Sequence, residues 1–281
     1  MFYQRPAKII GLFLLLTAVL YAAGYWLIYR TASATPLMLS VGLATILTCL
    51  ITRTSLRELG WEWCGWRVSR LSYTIPLAYA AVAYCLIWAF GGGGWYDSAY
   101  VLELKNEYNL AAWSDTAVIG FHFTMTATVS FVLLLPSVLA EEMGWRGLLV
   151  PQLAKMMPFT GVALVSGAIW AMWHWPLMFL GLYGNESTPL AFQLICFTVC
   201  IMSMSVVMTY LRLKTDSLWP AVIMHMSHNI FLQKFFSPIT AAHANSGWYL
   251  DEFGAVVPAV VLLLALLFWR KGAAAFKASA A

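Results

Sequence analysis

The sequence predicts an all-α polytopic membrane protein, a bundle of about eight transmembrane helices. Three observations carry this: a charge-poor composition, a series of long unbroken apolar runs, and a one-sided distribution of Lys and Arg. Of 281 residues, 62% are hydrophobic and only 10% charged, with a mean hydropathy of +0.76. Soluble domains carry about 25% charge, so a water-soluble globule would have no polar coat. A disordered chain would need fewer hydrophobics and more charge. The net charge of +4 is too small for a nucleic-acid footprint, so membrane lipid is the expected environment and no nucleic acid is expected as a partner. The five cysteines (Cys49, Cys64, Cys85, Cys196, Cys200) are odd in number and include no CxxC pair, so they read as small buried hydrophobes.

A bilayer core of about 30 Å needs roughly 20 apolar residues per helix. Eight stretches qualify: Ile9 to Tyr29, Pro36 to Ile51, Leu71 to Phe90, Ala117 to Ala140, Phe159 to Leu180, Pro189 to Leu211, Leu218 to Phe236 and Phe253 to Trp269. The second and last are short, and Pro36 and Pro258 blur their ends. The runs are continuous rather than alternating, which excludes membrane β-strands. Arg5 and Lys8 before the first run, and Ala32-Ser33-Ala34 after it, imitate a signal peptide. The run is longer than a signal h-region of about 7–15 residues, so a retained helix is expected.

Arg53 to Arg70 is a basic stretch interleaved with Trp61, Trp63 and Trp66, as expected of an interfacial segment at headgroup level. The loop Gly91 to Asp115 opens with four glycines and carries Asp97, Glu103, Glu107 and Asp115. With the N-terminus in the cytoplasm, 13 of the 16 Lys and Arg residues fall inside, and only Arg30, Lys105 and Lys234 fall outside. The positive-inside rule then predicts both termini cytoplasmic, in a bacterial inner (plasma) membrane. No internal repeat points to a transporter built from inverted halves. The chain reads as one membrane domain, 1–281. Residues 1–115 hold three spans, the interfacial segment and the outer loop; 116–236 form a motif-bearing core; 237–281 hold a loop, the last span and a basic tail.

Ionisable groups inside a bilayer cost on the order of 2.5–3.5 kcal/mol each at mid-span and are tolerated when they face a cavity or one another. They gather at three places. The first is Glu141-Glu142-Met143-Gly144-Trp145-Arg146, at the end of the fourth run. Glu142 and Arg146 are four apart and can pair along one face, which leaves Glu141 free to turn into the bundle. The second is His174 among Trp170, Trp173 and Trp175 in the fifth run. The third is His225-Met226-Ser227-His228-Asn229 in the seventh, where His225 and Asn229 share a helical face. Alone, each has a structural explanation: a solvated helix end, a packed histidine, a polar clasp between helices. Together they can support hydrolysis, with a carboxylate taking a proton from water and His or Asn donors stabilising the oxyanion. They can equally support a metal site, in which Glu141, His174 and His225 hold Zn²⁺ and water fills the fourth position.

These three motifs, in this order and separated by spans, resemble those of the CPBP (Abi, CAAX-protease type II-like) intramembrane proteases. They are Glu141-Glu142-x-x-x-Arg146, Trp170-x-x-x-His174 and His225-x-x-x-Asn229. The resemblance covers about Ser137 to Phe231. The family more often has Phe where this chain has Trp170, a change between bulky aromatics that casts little doubt. The resemblance implies an eight-helix bundle around a cavity open to the cytoplasm, with peptide-bond hydrolysis inside. By position, Glu141 would be the general base and His174 would hold the same water. His225 and Asn229 would form the oxyanion site, with Glu142 and Arg146 in support. The glutamate route requires no cofactor; zinc on Glu141, His174 and His225 is the other route. The implied partner is a peptide or protein substrate, with prenylated C-terminal peptides the family's best-known target.

Depth is the demanding point. Glu141 lies about 14 Å, His225 about 11 Å and His174 about 20 Å from the inner helix ends at 1.5 Å per residue. Tilt, or a bend near Gly144 and Gly147, is needed to bring His174 level. His122, about 28 Å along its helix from Glu141, and His243, in a loop, are expected outside the site. No HExxH is present, as a zinc protease of the site-2 type would need. Two other classes compete: a non-catalytic immunity or scaffold protein using the same bundle, and a proton-coupled transporter using the buried Glu and His as a relay.

Overall fold

The computed structural model describes residues 4–31 and 34–276. Ala32 and Ser33 of the small-residue triplet and Lys277 of the basic tail lie outside the described residues. Among the described residues the fold is helical, and seven helices are long and apolar enough to cross a membrane. They include α1 (Gln4–Thr31), α2 (Thr35–Thr52) and α3 (Trp66–Ala89). The eighth expected span, α11 (Trp219–His228), continues as a π-helical segment over Asn229–Phe236 and then α12 (Ser237–Ile239). It falls short of the others in apolarity because His225, His228, Asn229, Gln233 and Lys234 interrupt its hydrophobic run.

The fourth run is broken. It passes through α5 (Asp115–Met125), a π turn over Thr126–Ser130, α6 (Phe131–Leu133) and α7 (Leu135–Glu142). A second π segment, Met143–Leu149, and α8 (Val150–Ala154) complete it. Pro136 sits in the first turn of α7, where its missing N–H is harmless. Widened turns of this kind recur at functional sites, and 143–149 spans the place where a bend was required.

Small residues set the closest helix approaches, as in other membrane bundles. A Cβ on Gly42 would lie 2.8 Å from the Ala140 side chain, and one on Gly144 would meet Val41 and Phe13. These contacts lock α2 against α7 and the start of the π segment. The most enclosed pair is α9 (Phe159–Phe179) and α10 (Leu190–Thr215), joined where Gly167 abuts Met202 and Ser205. The last span, α13 (Val256–Ala275), covers α10 and α3.

The loop after α3 is more ordered than its glycines suggest. Gly94 bridges Ala241, Asp97 caps α4 (Ser98–Glu107), and Val101 and Leu104 pack against Val118 and Ile239. At the other end of the bundle Trp61, Trp63 and Trp66 are exposed, as expected of an interfacial belt.

Candidate functional site

Burial is what makes the first motif unusual: Glu141 is 1% exposed, and Glu142 and Arg146 are fully buried. The two adjacent carboxylates do different jobs. Oε1 of Glu141 accepts the indole N–H of Trp145 at 3.0 Å and that of Trp170 at 2.8 Å. Its Oε2 makes no hydrogen bond among the described residues. Trp145 is one turn on along the same segment, while Trp170 comes from α9, so two elements fix one carboxylate. The aromatic of the second motif is therefore more than a packing group, because Trp170 brings an N–H that a Phe at this position would lack. A phenyl ring would fill the space and leave Oε1 one donor short.

Glu142 ties the first motif to the third. It accepts Nη1 of Arg146 at 2.8 and 3.1 Å, and its Oε1 also accepts Nδ1 of His225 at 2.9 Å. The Glu142–Arg146 pair was legible from spacing; the bond to His225 was not. A carboxylate only accepts, so Nδ1 carries the proton and Nε2 is the ring nitrogen left for the cavity. The Arg146 guanidinium lies 4.0 Å from the Trp170 ring centroid, a desolvated cation–π contact. Among the described residues its Nε and Nη2 have no hydrogen-bond partner, and the ring face supplies the remaining contact. Arg212, also buried, donates Nε to the Arg146 carbonyl at 2.9 Å and pins the π segment to α10.

His174 has its tautomer set by its own helix. Nδ1 lies 2.8 Å from the Trp170 carbonyl, which can only accept, so Nδ1 bears the proton and Nε2 presents a lone pair. The ring is held edge-on by Trp173 and Phe197, with centroids 4.8 and 5.0 Å away, and stacks on Tyr183. Asn229, where α11 gives way to the π segment, has no hydrogen bond from its amide among the described residues.

All four expected residues line one cavity of about 130 Å³. Glu141, His174, His225 and Asn229 share it with Trp170 and Trp173, and Ala34, Leu37 and Met38 of the α2 end form part of its wall. His122 and His243 are outside it, as expected. His122 bonds Tyr108 and the Lys234 carbonyl at 2.9 and 3.1 Å, and His243 contacts the Gly91 carbonyl.

A second buried acid, Glu252, went unread in the sequence. It sits in the turn before α13, bonded to the Tyr183 hydroxyl and to Nε2 of Gln233 at 2.8 Å. Its Oε2 has no hydrogen-bond partner among the described residues and lies 3.9 Å from Nε2 of His228. The other nitrogen of His228 contacts the Tyr79 hydroxyl at 2.5 Å. Tyr183, Gln233 and His228 all reach the cavity, so Glu252 braces its far wall. The only signal was an Asp251-Glu252 pair abutting an apolar run, which reads as an ordinary loop end. Burial raises the Glu252 carboxyl above the usual range, partly offset by its bonds to Tyr183 and Gln233. Burial, together with the neighbouring Glu252 charge, pushes Asp251 up to about 8.

Zinc can be tested on the donors themselves. Among the described residues no three His, Cys, Asp or Glu groups stand together so as to hold a metal ion. The Glu141–His174–His225 set is not among such groups. The bonds at Oε1 of Glu141 and at Nδ1 of His174 and His225 orient these side chains and leave Oε2 and both Nε2 atoms as the remaining donors.

Comparison with known proteins agrees with the motifs. Residues 123–231 match the family model described as type II CAAX prenyl endopeptidase Rce1-like. A relative from Methanococcus maripaludis, named CAAX prenyl protease 2, is 29% identical over 115 residues. That likeness covers 40% of this chain and 42% of the relative. The family-model match spans all three motifs, so over that stretch the chain is similar to the CPBP, Rce1-like proteases.

Proposed function

We propose that this protein is an intramembrane endopeptidase in which Glu141 activates water. The observation that carries the reading is the state of that carboxylate: buried, one oxygen held by two indole N–H groups, the other without a protein partner beside His174, His225 and Asn229.

Water enters between Glu141 Oε2 and His174 Nε2, each of which accepts one of its hydrogens. Glu141 takes a proton as the water oxygen adds to the scissile carbonyl carbon. The oxygen of that carbonyl becomes an oxyanion, which Asn229 Nδ2 and His225 stabilise. His225 donates from Nε2 when its ring carries a proton there as well as on Nδ1. Collapse breaks the C–N bond, and Glu141 returns its proton to the departing amine nitrogen. No step requires a metal.

The cavity has room for several waters beside these side chains. Its apolar side, Leu37, Met38, Leu177 and Ile201, suits an apolar segment. The relative's name makes a prenylated C-terminal peptide the first substrate class to test. The Lys/Arg bias supports cytoplasmic termini, and a bacterial inner membrane is the setting we propose.

The test is cleavage in ¹⁸O-labelled water, with the protein in bilayers and matched peptides, farnesylated and unfarnesylated. Hydrolysis places one labelled oxygen in the new carboxyl terminus, and chelator treatment leaves the rate unchanged. Products without label contradict hydrolysis; activity lost to chelator and restored by zinc contradicts the metal-free route.

A further inference from the structure

At the basic end of the bundle, away from the catalytic cavity, three cations from separate parts of the chain converge on a pocket of about 290 Å³. Arg5 comes from the first turn of α1, Arg53 caps the end of α2, and Lys155 follows α8. Among the described residues none of the three is in an ion pair. Glu58 is the single carboxylate among the described residues of the lining, which sets three positive groups against one negative there. Like charges drawn together in a partly enclosed site repel, and a bound anion would relieve that.

Neutral donors are in place as well. Thr54 supplies a hydroxyl to the lining. Gln152, 5% exposed, gives its carbonyl oxygen to Lys155 at 3.3 Å, and its amide nitrogen has no bond among the described residues. Arg53 stands at φ 53°, in the left-handed region that favours glycine, on the turn that carries its side chain to the pocket. Pro6 and Ile9 supply an apolar side. The same end carries the exposed Trp61, Trp63 and Trp66, which mark headgroup level. Basic pockets between helices at that level suit phosphate-bearing lipid headgroups.

We infer that Arg5, Arg53 and Lys155 form a phosphate-binding site, occupied by the headgroup of an anionic phospholipid and independent of the peptidase reading.

The test is thermal unfolding of the full chain in detergent, with phosphatidylglycerol, phosphatidylcholine or inorganic phosphate added. For the wild type, phosphatidylglycerol is expected to raise the midpoint by about 5 °C over phosphatidylcholine. Arg53→Gln with Lys155→Gln should abolish most of that rise. Arg67→Gln with Arg270→Gln, two exposed cations elsewhere, should keep it. A rise with phosphate alone supports the site and assigns it to a soluble anion. Equal responses from both double variants, or no response of the wild type to either anion, overturn the site. If the first double variant fails to fold, Arg53→Gln and Lys155→Gln singly decide the matter, each expected to lose part of the rise.

Discussion

Two buried carboxylates flank the same cavity, and they differ in how they are held. Glu141 is gripped through one oxygen by Trp145, four residues on, and by Trp170 from the next span, with its other oxygen unbonded. Glu252 is gripped by Tyr183 and Gln233 from two distant segments, and its second oxygen is buried beside His228 without a bond. An acid with one oxygen fixed and one facing a water-sized space is arranged to move a proton. An acid enclosed behind the lining is arranged to hold other residues in place. Burial alone therefore says little about role; the direction in which the unpaired oxygen faces says more.

The sharpest way to break this distinction is to remove each acid in turn. Glu141→Ala should lower peptide cleavage by about 10²–10⁴-fold, the usual worth of a general base, while Glu252→Ala should stay within about tenfold. Equal losses measured in one assay would erase the difference. Next in size is Arg146→Met, which leaves Glu142 buried with His225 as its sole partner. Breaking a buried pair from one side costs about 3–5 kcal/mol, to be read as a lowered midpoint in chemical denaturation. Trp170→Phe is a finer probe, keeping a ring under Arg146 while removing the N–H to Glu141. A hydrogen bond to a charged group is worth about 1.5–3 kcal/mol, so kcat should fall about tenfold or more with KM little changed. A variant as fast as wild type would show that Trp145 alone holds the carboxylate.

A separate probe, of stability rather than activity, concerns pH. Asp251 keeps its proton to about 8 in the fold, against an unfolded value of about 3.9. Between those values the folded state binds more protons than the unfolded one, so stability falls as pH rises across that window. Asp251→Asn should flatten the decline of the unfolding midpoint between pH 5 and pH 8. A decline unchanged by the substitution would mean that Asp251 does not cause it.

What the sequence revealed follows the same division. The spans were legible because a bilayer demands long apolar runs, and Glu142–Arg146 because four residues make one helical turn. Glu141, His174, His225 and Asn229 stood out because polar groups inside such runs are costly. The hydrogen bonds that give them chemistry were hidden. Trp170 to Glu141 and His225 to Glu142 join residues 29 and 83 positions apart, and no local spacing encodes them. Glu252 was hidden for another reason: a carboxylate in a loop is ordinary until the fold buries it. The helix α4 and the π segment 143–149 were unread because glycines and short breaks leave no periodic signal.

The most direct measurement is a cryo-EM map of the protein in a bilayer disc, sharp enough to show ordered water. It should place one water within about 3.2 Å of both Glu141 Oε2 and His174 Nε2, with both indole N–H groups still on Oε1. A metal peak shared by Glu141, His174 and His225, or a dry gap filled by a lipid tail, would contradict it.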